Sequence, residues 1–258
     1  MTVHEPGAKV FGEVADEYDR LRPGYPSALI DDVLGYAQLD GAPAIEIGAG
    51  TGKATVAFAR RGIAVTAIEP DEKMAAVLAH RVAGIADVTV VGSSFEEYVP
   101  MRPYGLLFSA QAWHWTDPAV RWQRAAYALA PGGALALFWN IDRPADPEVT
   151  AVVLAAHRRH TPQIVPNFEP SDEASLAASW PGTDLAALPG FGELSDRLYR
   201  WDRPMSAADY VAYLSTRSDY RLIDGGVRAR LFREIESSLG DRVELRVETA
   251  LYLARRPR

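Results

Sequence analysis

The sequence predicts a doubly wound α/β fold, in which helices cover both faces of a largely parallel sheet. In its first half, short and continuously apolar segments alternate with segments whose apolar residues recur at helical spacing. Continuous apolarity is typical of parallel strands, because the crossover helices bury both faces of the sheet. Right-handed crossovers between such strands produce the doubly wound arrangement.

Five strands and four helices are predicted over the first half of the chain. The strands are bounded by turn residues such as glycine, proline and aspartate, and lie at 44–47, 63–68, 88–91, 106–108 and 134–139. The helices carry apolar residues three and four positions apart, and lie at 27–39, 53–61, 71–83 and 118–129. Strands separated by helices in this order are typical of βαβ units and a parallel sheet.

The alternation of strands and helices changes from Ile141 onward. A helix, a long polar loop, a strand and two further helices are predicted, in this order, at 149–159, 161–189, 194–201, 207–214 and 227–239. The segment 243–253 alternates strictly between apolar and other residues, which predicts an antiparallel strand with one wetter face. The predicted sheet is therefore mixed, with five parallel strands and two later ones.

Length and element order predict a single domain over 1–258, with its core at 27–140 and 190–258. Residues 1–26 are predicted to form an N-terminal cap, and 141–189 a lid-like insertion of helix and loop. A loop as long as the one in this insertion is usually functional or disordered. We therefore expect the insertion to determine which small molecule binds.

The composition argues against several classes of function. The chain has no cysteine, which excludes disulfide frameworks, cysteine zinc sites, iron–sulfur clusters and thiol nucleophiles. A net charge of −7 argues against a nucleic-acid partner, because such a partner needs a basic surface. No apolar run approaches the ~20 residues that cross a bilayer, and no signal peptide is evident. We expect a cytoplasmic monomer or homodimer that binds neither a metal nor a membrane.

Three glycines mark the junction between the first predicted strand and the helix that follows it. Gly48, Gly50 and Gly52 stand at alternate positions. Glycine permits positive φ angles and lets a ligand approach the backbone closely. The helix N-terminus that follows offers free N–H groups to an anion. Together these features predict a cofactor site.

The glycine spacing departs from two common nucleotide-binding motifs. The dinucleotide fingerprint needs a third glycine where Lys53 stands, and a P-loop needs glycine and a hydroxyl residue where Ile47 and Ala54 stand. Glu69 ends the second predicted strand about 20 residues after Gly48, where an acidic residue accepts hydrogen bonds from ribose hydroxyls. This spacing predicts an adenosine-containing ligand, with NAD and an adenosyl sulfonium both open.

Several segments together resemble a known family. Residues 46–52, Glu-Ile-Gly-Ala-Gly-Thr-Gly, are similar to the E/D-x-G-x-G-x-G signature of class I S-adenosylmethionine-dependent methyltransferases. Four further segments resemble the small-molecule, methyltransferase type 11-like branch, at 11–20, 69–74, 111–118 and 129–133. The resemblance covers residues 11–140 and implies a Rossmann-like, seven-stranded mixed sheet with an antiparallel last strand.

The resemblance implies a site for S-adenosylmethionine at the carboxyl ends of the strands. The implied contacts are Glu46, Gly48, Ala49, Gly50 and Gly52 for the methionyl part, Glu69 with Pro70 for the ribose, and Ser94, Phe95 and Glu96 for the adenine. Many relatives have an aspartate that accepts from the adenine amino group. In this chain Ser94 and Phe95 stand at that place, so Glu96 or a backbone carbonyl would accept instead. Ala110 and Gln111 would lie beside the sulfonium. Tyr18 and Arg22, one helical turn apart, would face the cofactor's carboxylate.

Methyl transfer from a sulfonium is an in-line displacement, so the protein mainly aligns the acceptor. His114 follows the fourth predicted strand, and the ordinary pKa of histidine suits proton abstraction near pH 7. We therefore predict His114 as the catalytic base, with a role as pocket wall as the alternative. Tyr25, Trp113 and Trp115 predict a largely apolar or aromatic acceptor pocket.

Two other functions remain open from the sequence. One is an NAD(P)-dependent oxidoreductase on a related fold, against which stand the missing third glycine and the absence of a Tyr-x-x-x-Lys pair. The other is a non-catalytic cofactor-binding module that has kept the fold. The sequence favours an S-adenosylmethionine-dependent methyltransferase that acts on a small-molecule acceptor.

Overall fold

Seven strands form one mixed sheet in the computed structural model, which describes residues 15–258. The strands are β1 (Ala44–Ile47), β2 (Val65–Ile68), β3 (Val88–Val91), β4 (Tyr104–Ala110), β5 (Leu129–Pro144), β6 (Gly192–Ser206) and β7 (Arg242–Arg255). Their order is β3-β2-β1-β4-β5-β7-β6. The first five strands pair in parallel, and β7 is antiparallel to both β5 and β6. The predicted mixed sheet with an antiparallel last strand is confirmed.

Helices lie on both faces of this sheet. They are α1 (Ala15–Leu21), α2 (Ser27–Ala37), α3 (Lys53–Ala59), α4 (Glu72–Val82), α5 (Arg121–Ala128), α6 (Pro147–His160), α7 (Gly182–Ala187), α8 (Ala207–Ser215), α9 (Ser218–Arg221) and α10 (Gly225–Ser238). On β4, Leu107 packs in a core cluster with α5, while Leu106 and Phe108 pack in another with α2 and α3. Each such fully buried side chain stabilises the fold by roughly 1.5–3 kcal/mol. Among these helices, none has the length and apolarity of a membrane span.

The first fourteen residues lie outside the described part of the chain. The predicted cap at 1–26 is therefore described only from Ala15, and the segment 11–20 only in its second half. Within the described part, α1 ends at Leu21, and the backbone N–H of Arg22 still bonds the Tyr18 carbonyl at 2.9 Å. The helix thereby brings Tyr18 and Arg22 to the same end of the sheet.

The strands near the predicted insertion are longer than the sequence pattern indicates. β5 pairs with β7 as far as Pro144, so residues 141–144 belong to the sheet and not to the insertion. β6 extends past the predicted end at Trp201 to Ser206, although it contains Pro204. A proline is tolerated there because β6 is an edge strand, where one side of the backbone has no partner strand.

The predicted wetter face of β7 holds only for the first part of the strand. Exposed and buried residues alternate from Arg242 to Arg246, but every residue from Val247 to Ala254 is buried. The reason is the position of β7 between β5 and β6, where Leu251 and Tyr252 pack into core clusters on opposite faces. The prediction of one wetter face is therefore wrong for the second part.

Candidate active site

A cavity of about 1020 Å³ lies at the carboxyl ends of the parallel strands. Its lining includes residues that follow each of the first four strands and the end of β5, among them Gly48 and Gly50, Glu69 and Pro70, 92–97, 110–112 and 140–142. Pockets for drug-sized ligands have volumes of about 300–1,000 Å³, so this cavity is large. Open α/β sheets bind ligands at this edge, and the cavity is therefore the candidate active site.

The three glycines of the loop after β1 have positive φ angles but different surroundings. A Cβ atom on Gly48 would lie 2.3 Å from Cβ of Ala112, and one on Gly52 would lie 2.4 Å from Cδ1 of Leu78. On Gly50 the nearest atom would be Cε of Met74, at 3.7 Å. Gly48 and Gly52 therefore permit close packing of the loop, whereas Gly50 faces open space. Gly52 lines neither the cavity nor the smaller one beside Glu46, and its contact with the cofactor stays a prediction.

The buried carboxylate of Glu69 joins the loops that follow β1 and β2. Its Oε2 accepts a hydrogen bond from the N–H of Gly50 at 2.7 Å, and its Oε1 accepts one from the N–H of Asp71 at 2.9 Å. Burial raises the pKa of Glu69 to about 7, although these two hydrogen bonds oppose the shift. Near neutral pH the group therefore exchanges easily between its charged and neutral forms.

Glu46 lies in the sheet beside a second, smaller cavity of about 40 Å³. It is almost completely buried, and Oγ1 of Thr55 donates a hydrogen bond of 2.5 Å to its Oε2. Burial, and to a smaller extent the nearby Glu69, raise the pKa of Glu46 to about 8, although the hydrogen bond from Thr55 opposes the shift. The small cavity is also lined by Ala49 and by Tyr25, whose ring packs edge-on against Phe138 with centroids 4.8 Å apart. Tyr25 therefore lines the smaller cavity, and its contact with the acceptor stays a prediction.

Tyr18 and Arg22 line both cavities. The guanidinium of Arg22 lies 5.0 Å from the ring centroid of Tyr18, and its Nε donates to Oγ1 of Thr216 at 3.0 Å. Nη2 of Arg22 also donates to the backbone carbonyl of Thr216 at 2.9 Å. Arg22 therefore fixes the segment after α1 to the end of α8 at the edge of the cavity.

The residues predicted beside the adenine also line the large cavity. Oε1 of Glu96 accepts from the N–H of Asp117 at 2.7 Å, and Oγ of Ser94 accepts from the N–H of Glu97 at 3.2 Å. The carbonyl of Phe95 accepts from Nε of Arg124 at 2.8 Å. Much of the polar surface of this segment is therefore already engaged within the protein.

Ala110 and Gln111 end β4 between the two cavities and line both of them. Gln111 has a positive φ of 61°, which directs the chain sharply away from the strand. Its backbone N–H bonds the carbonyl of Phe138 at 3.0 Å, and its Nε2 donates to the carbonyl of Asn140 at 3.0 Å. Both bonds hold the end of β4 against β5.

The Trp-His-Trp segment after β4 divides between the cavity and the core. His114 and Trp115 line the large cavity. Trp113 is fully buried, with ring centroids 5.6 Å from Phe95 and 5.3 Å from Trp122. The predicted substrate contact of Trp113 is therefore wrong, because successive side chains of a 3₁₀ turn point about 120° apart, and that of Trp113 points into the core.

His114 is held by a tryptophan of the neighbouring strand. Nε1 of Trp139 donates a hydrogen bond to Nδ1 of His114 at 3.3 Å. Burial, followed by the nearby positive charge of Arg121, lowers the pKa of His114 below its ordinary value of 6.5. His114 is therefore neutral at pH 7, with Nδ1 already occupied as an acceptor.

Another part of the cavity wall is formed by residues that are not among the predicted site residues. Tyr213 on α8, Arg217 before α9 and Tyr220 on α9 lie outside every predicted site segment, whereas Asp142 on β5 and the loop 164–168 belong to the predicted insertion 141–189. No local pattern marks them, since they come from helices and loops far apart in the sequence. Asp142 stands among turn residues, which hid its place on a strand.

Comparison with known protein families identifies the region that carries this site. Residues 45–137 match the family model described as a methyltransferase domain. This part of the chain is therefore similar to a methyltransferase domain. The matched segment holds the glycine loop, Glu69 and His114, whereas Arg217 and Tyr220 lie beyond it.

Curated proteins similar to this chain include uncharacterised methyltransferases of Mycobacterium tuberculosis and Mycobacterium bovis. Each is 38% identical over 130 residues, which are 50% of this chain and 51% of the relative. The chain thus spans about half the length of the curated relatives that it matches.

Solved structures share the fold of this chain. A protein described as a type II methyltransferase from Anaeromyxobacter dehalogenans superimposes with a TM-score of 0.64 at 22% identity, over 92% of this chain and 99% of the other. A second structure is phosphoethanolamine N-methyltransferase 2 of Haemonchus contortus, solved with phosphomonomethylethanolamine and S-adenosylhomocysteine. It superimposes with a TM-score of 0.54 at 16% identity, over 100% of this chain and 61% of the other. At these identities the likeness establishes the fold alone.

Proposed function

We propose that the chain is an S-adenosylmethionine-dependent methyltransferase that methylates a small-molecule acceptor. The observation that carries this proposal is the continuous cavity from the glycine loop, with Glu69 bonded to Gly50, to the wall at Tyr213 and Arg217. A cavity of this size has room for a cofactor at one end and an acceptor at the other. The Haemonchus contortus protein, which has the same fold, was solved with both kinds of ligand.

The residues present fit such a cofactor. Gly50 leaves open space where a side chain would stand, and Glu46 and Glu69 are buried carboxyls whose pKa values are raised. A positively charged group beside them would favour their ionised forms and be bound by them. We assign Glu46 to the ammonium of the methionyl part, Glu69 to the ribose and Arg22 to the carboxylate. When bound, the cofactor supplies an electrophilic methyl group.

The protein's own residues then bind and orient the acceptor. Because Nδ1 of His114 accepts a hydrogen bond from Trp139, the neutral ring carries its hydrogen on Nε2. In this state Nε2 of His114 can donate a hydrogen bond to a ligand, and the ring can act as the predicted base only after its tautomer changes. We therefore propose that His114 first positions the acceptor, together with Trp115. Correct orientation can supply roughly 7–11 kcal/mol of barrier lowering.

The first test is calorimetry of the full chain with S-adenosylmethionine, S-adenosylhomocysteine and NAD in parallel. We expect binding of the two adenosyl ligands in the micromolar range and none of NAD. Release of S-adenosylhomocysteine is then measured with small acceptors. Binding without turnover on any acceptor would favour the non-catalytic cofactor-binding module, and binding of NAD alone would favour the oxidoreductase.

A further inference from the structure

The side of the cavity formed by the ends of β5 and α8 and by α9 is strongly polar, in contrast to the apolar acceptor pocket that the sequence predicts. Asp142, Arg217 and Asp219 line it together with the hydroxyl-bearing residues Tyr213 and Tyr220. Burying charged groups is costly unless they are paired. The charges on this wall therefore indicate which charged group a bound ligand must have. This inference rests on the proposed function, since it concerns the acceptor end of the same site.

Arg217 lies on this wall with a guanidinium that makes no side-chain hydrogen bond to residues 15–258. Its side chain is 32% exposed, and its Nη1 lies 3.6 Å from Oδ1 of Asp142. Its Nη2 lies 3.6 Å from Oδ2 of Asp219. Both distances exceed the 2.7–3.2 Å of an N–H···O hydrogen bond. The planar guanidinium is therefore held in place electrostatically, while its N–H groups remain available to a ligand in the cavity.

The carboxylates near Arg217 do not make this wall negative. Asp142 is only 7% exposed, and its Oδ2 accepts a hydrogen bond from the hydroxyl of Tyr213. Asp219 is 58% exposed, so water screens its charge. The guanidinium groups of Arg22 and Arg203 lie 5.4 and 5.6 Å from the ring centroid of Tyr213. Arg22 and Arg203 therefore flank the tyrosine that bonds Asp142, and together with Arg217 these positive charges favour an anionic ligand.

We propose that the methyl acceptor is a small molecule with a carboxylate group, and that Arg217 binds this carboxylate. The fork of N–H groups in arginine matches the two oxygens of a carboxylate, and such charge-assisted pairs are both strong and directional. An acceptor recognised through an ammonium group fits less well, because one oxygen of Asp142 is bonded to Tyr213 and the other faces Arg217. The carboxylate anchors the acceptor at this wall of the cavity.

The test uses matched pairs of small molecules that differ only in the anionic group. Benzoate, phenylacetate and succinate are compared with their primary amides, and benzylamine serves as the cationic probe. Binding is measured by calorimetry with and without S-adenosylhomocysteine. We expect at least one carboxylate to bind tenfold or more tightly than its amide, and benzylamine not to bind. Equal binding of every acid and its amide would overturn the proposal, as would a preference for benzylamine.

Variants of the full chain then assign the preference to one residue. Arg217→Gln should abolish the difference between acid and amide, and Arg217→Lys should keep only part of it, because lysine preserves the charge but not the fork. The double variant Asp142→Asn/Arg217→Gln covers the case in which an unpaired Asp142 unfolds the chain. Arg158→Gln, at an exposed arginine of α6, is the matched control.

The two proposals fail in different ways. A wild-type protein that does not bind S-adenosylhomocysteine contradicts the proposed function, while the carboxylate panel without that ligand still tests Arg217. A protein that binds S-adenosylhomocysteine and keeps its acid preference in Arg217→Gln contradicts only the assignment of Arg217.

Discussion

The indole N–H of Trp139 donates a hydrogen bond to Nδ1 of His114, which fixes the tautomer of the histidine in the cavity. Trp139 is in turn held from the second half of the chain. Its ring centroid lies 5.4 Å from that of Trp180 and 6.0 Å from that of Tyr252. The segment predicted as an insertion therefore contacts the histidine through Trp139, and it orients a group in the cavity without itself supplying that group.

The first prediction concerns Trp139→Phe. In the wild-type protein the indole N–H favours the neutral form of His114, because it donates to the unprotonated Nδ1. Phenylalanine keeps most of the ring but removes this donor. We therefore expect the pKa of His114 to rise in this variant, as followed by NMR titration of the imidazole protons. The fold should lose about 1 kcal/mol of stability, the typical net value of one hydrogen bond.

Trp201→Phe is the matched control for this experiment. It removes another indole donor, which bonds Oγ1 of Thr249 at 3.0 Å, and it should leave the titration of His114 unchanged. An identical His114 titration in Trp139→Phe and wild type would show that the indole does not set the tautomer.

The second prediction separates the folding role of the glycine loop from its binding role. Gly50→Ala places a Cβ in open space at φ 57°, which costs about 1–2 kcal/mol of stability but permits folding. Because that Cβ faces the cavity, we expect the affinity for S-adenosylhomocysteine to fall at least tenfold. Denaturation and calorimetry of the same sample measure the two effects.

Gly62→Ala is the control, since Gly62 also has a positive φ, at 77°, and among the described residues no atom lies within 4 Å of the added Cβ. It should lose similar stability and keep wild-type affinity. Gly48→Ala, by contrast, should unfold or misassemble the loop because of Ala112. Wild-type affinity in Gly50→Ala would remove Gly50 from the cofactor site.

Local sequence patterns predicted the elements that carry their own signal. Short segments were enough to predict the sheet and the loop. These segments are the apolar run at 44–47, the glycines after it and the acidic residue after β2. The burial of β7 on both faces cannot be predicted in this way, because Tyr252 and Leu251 are covered by elements far away in the sequence. A period of two identifies the strand but not what covers its faces.

The proposed acceptor end of the site could not be predicted from such patterns, for the same reason. Arg217 and Asp142 are brought together only by the packing of α8 and α9 against the end of β5, and neither stands in a recognisable motif. Trp113 shows the opposite error, since an aromatic residue beside a predicted site is assigned to it by proximity in sequence. In the folded chain it fills the core instead.

The third prediction concerns the pH dependence of stability in the ligand-free protein. Burial raises the pKa of Glu46 from 4.5 to about 8, so the folded state binds this proton more tightly than the unfolded state. The free energy of unfolding should therefore decrease as the pH rises from about 4.5 to about 8, by at most about 1.4 kcal/mol per pH unit for this group. Urea denaturation between about pH 5.5 and 8.5 measures the slope.

Glu46→Gln should flatten this dependence, because glutamine keeps an acceptor for Thr55 and cannot ionise. Part of the slope should persist, since the pKa of Glu69 is also raised, to about 7. Glu72→Gln, at an exposed position of α4, should behave like wild type. Equal slopes in Glu46→Gln and wild type would mean that Glu46 does not titrate in this range.

The last prediction tests whether Glu69 binds ribose or only braces the glycine loop. A loss of affinity in Glu69→Gln cannot distinguish these two roles. The amide has only one oxygen, so it cannot accept the hydrogen bonds of Gly50 and Asp71 at the same time, and the loop is damaged as well. The informative quantity is the difference in affinity between adenosine and 2′,3′-dideoxyadenosine, measured by calorimetry at pH 8, where Glu69 is mostly ionised. Damage to the loop weakens both ligands alike and cancels in this difference.

We expect the wild-type protein to prefer adenosine by tenfold or more, as hydrogen bonds to a charged acceptor contribute about 1.5–3 kcal/mol. Glu69→Gln should lose most of this preference, and Glu72→Gln should retain it. If Glu69→Gln binds both ligands weakly but keeps the preference for adenosine, Glu69 only supports the loop, and another group must hold the ribose. The carbonyl and N–H groups after β2, around Pro70 and Asp71, would then be the next candidates, because they line or border the same part of the cavity.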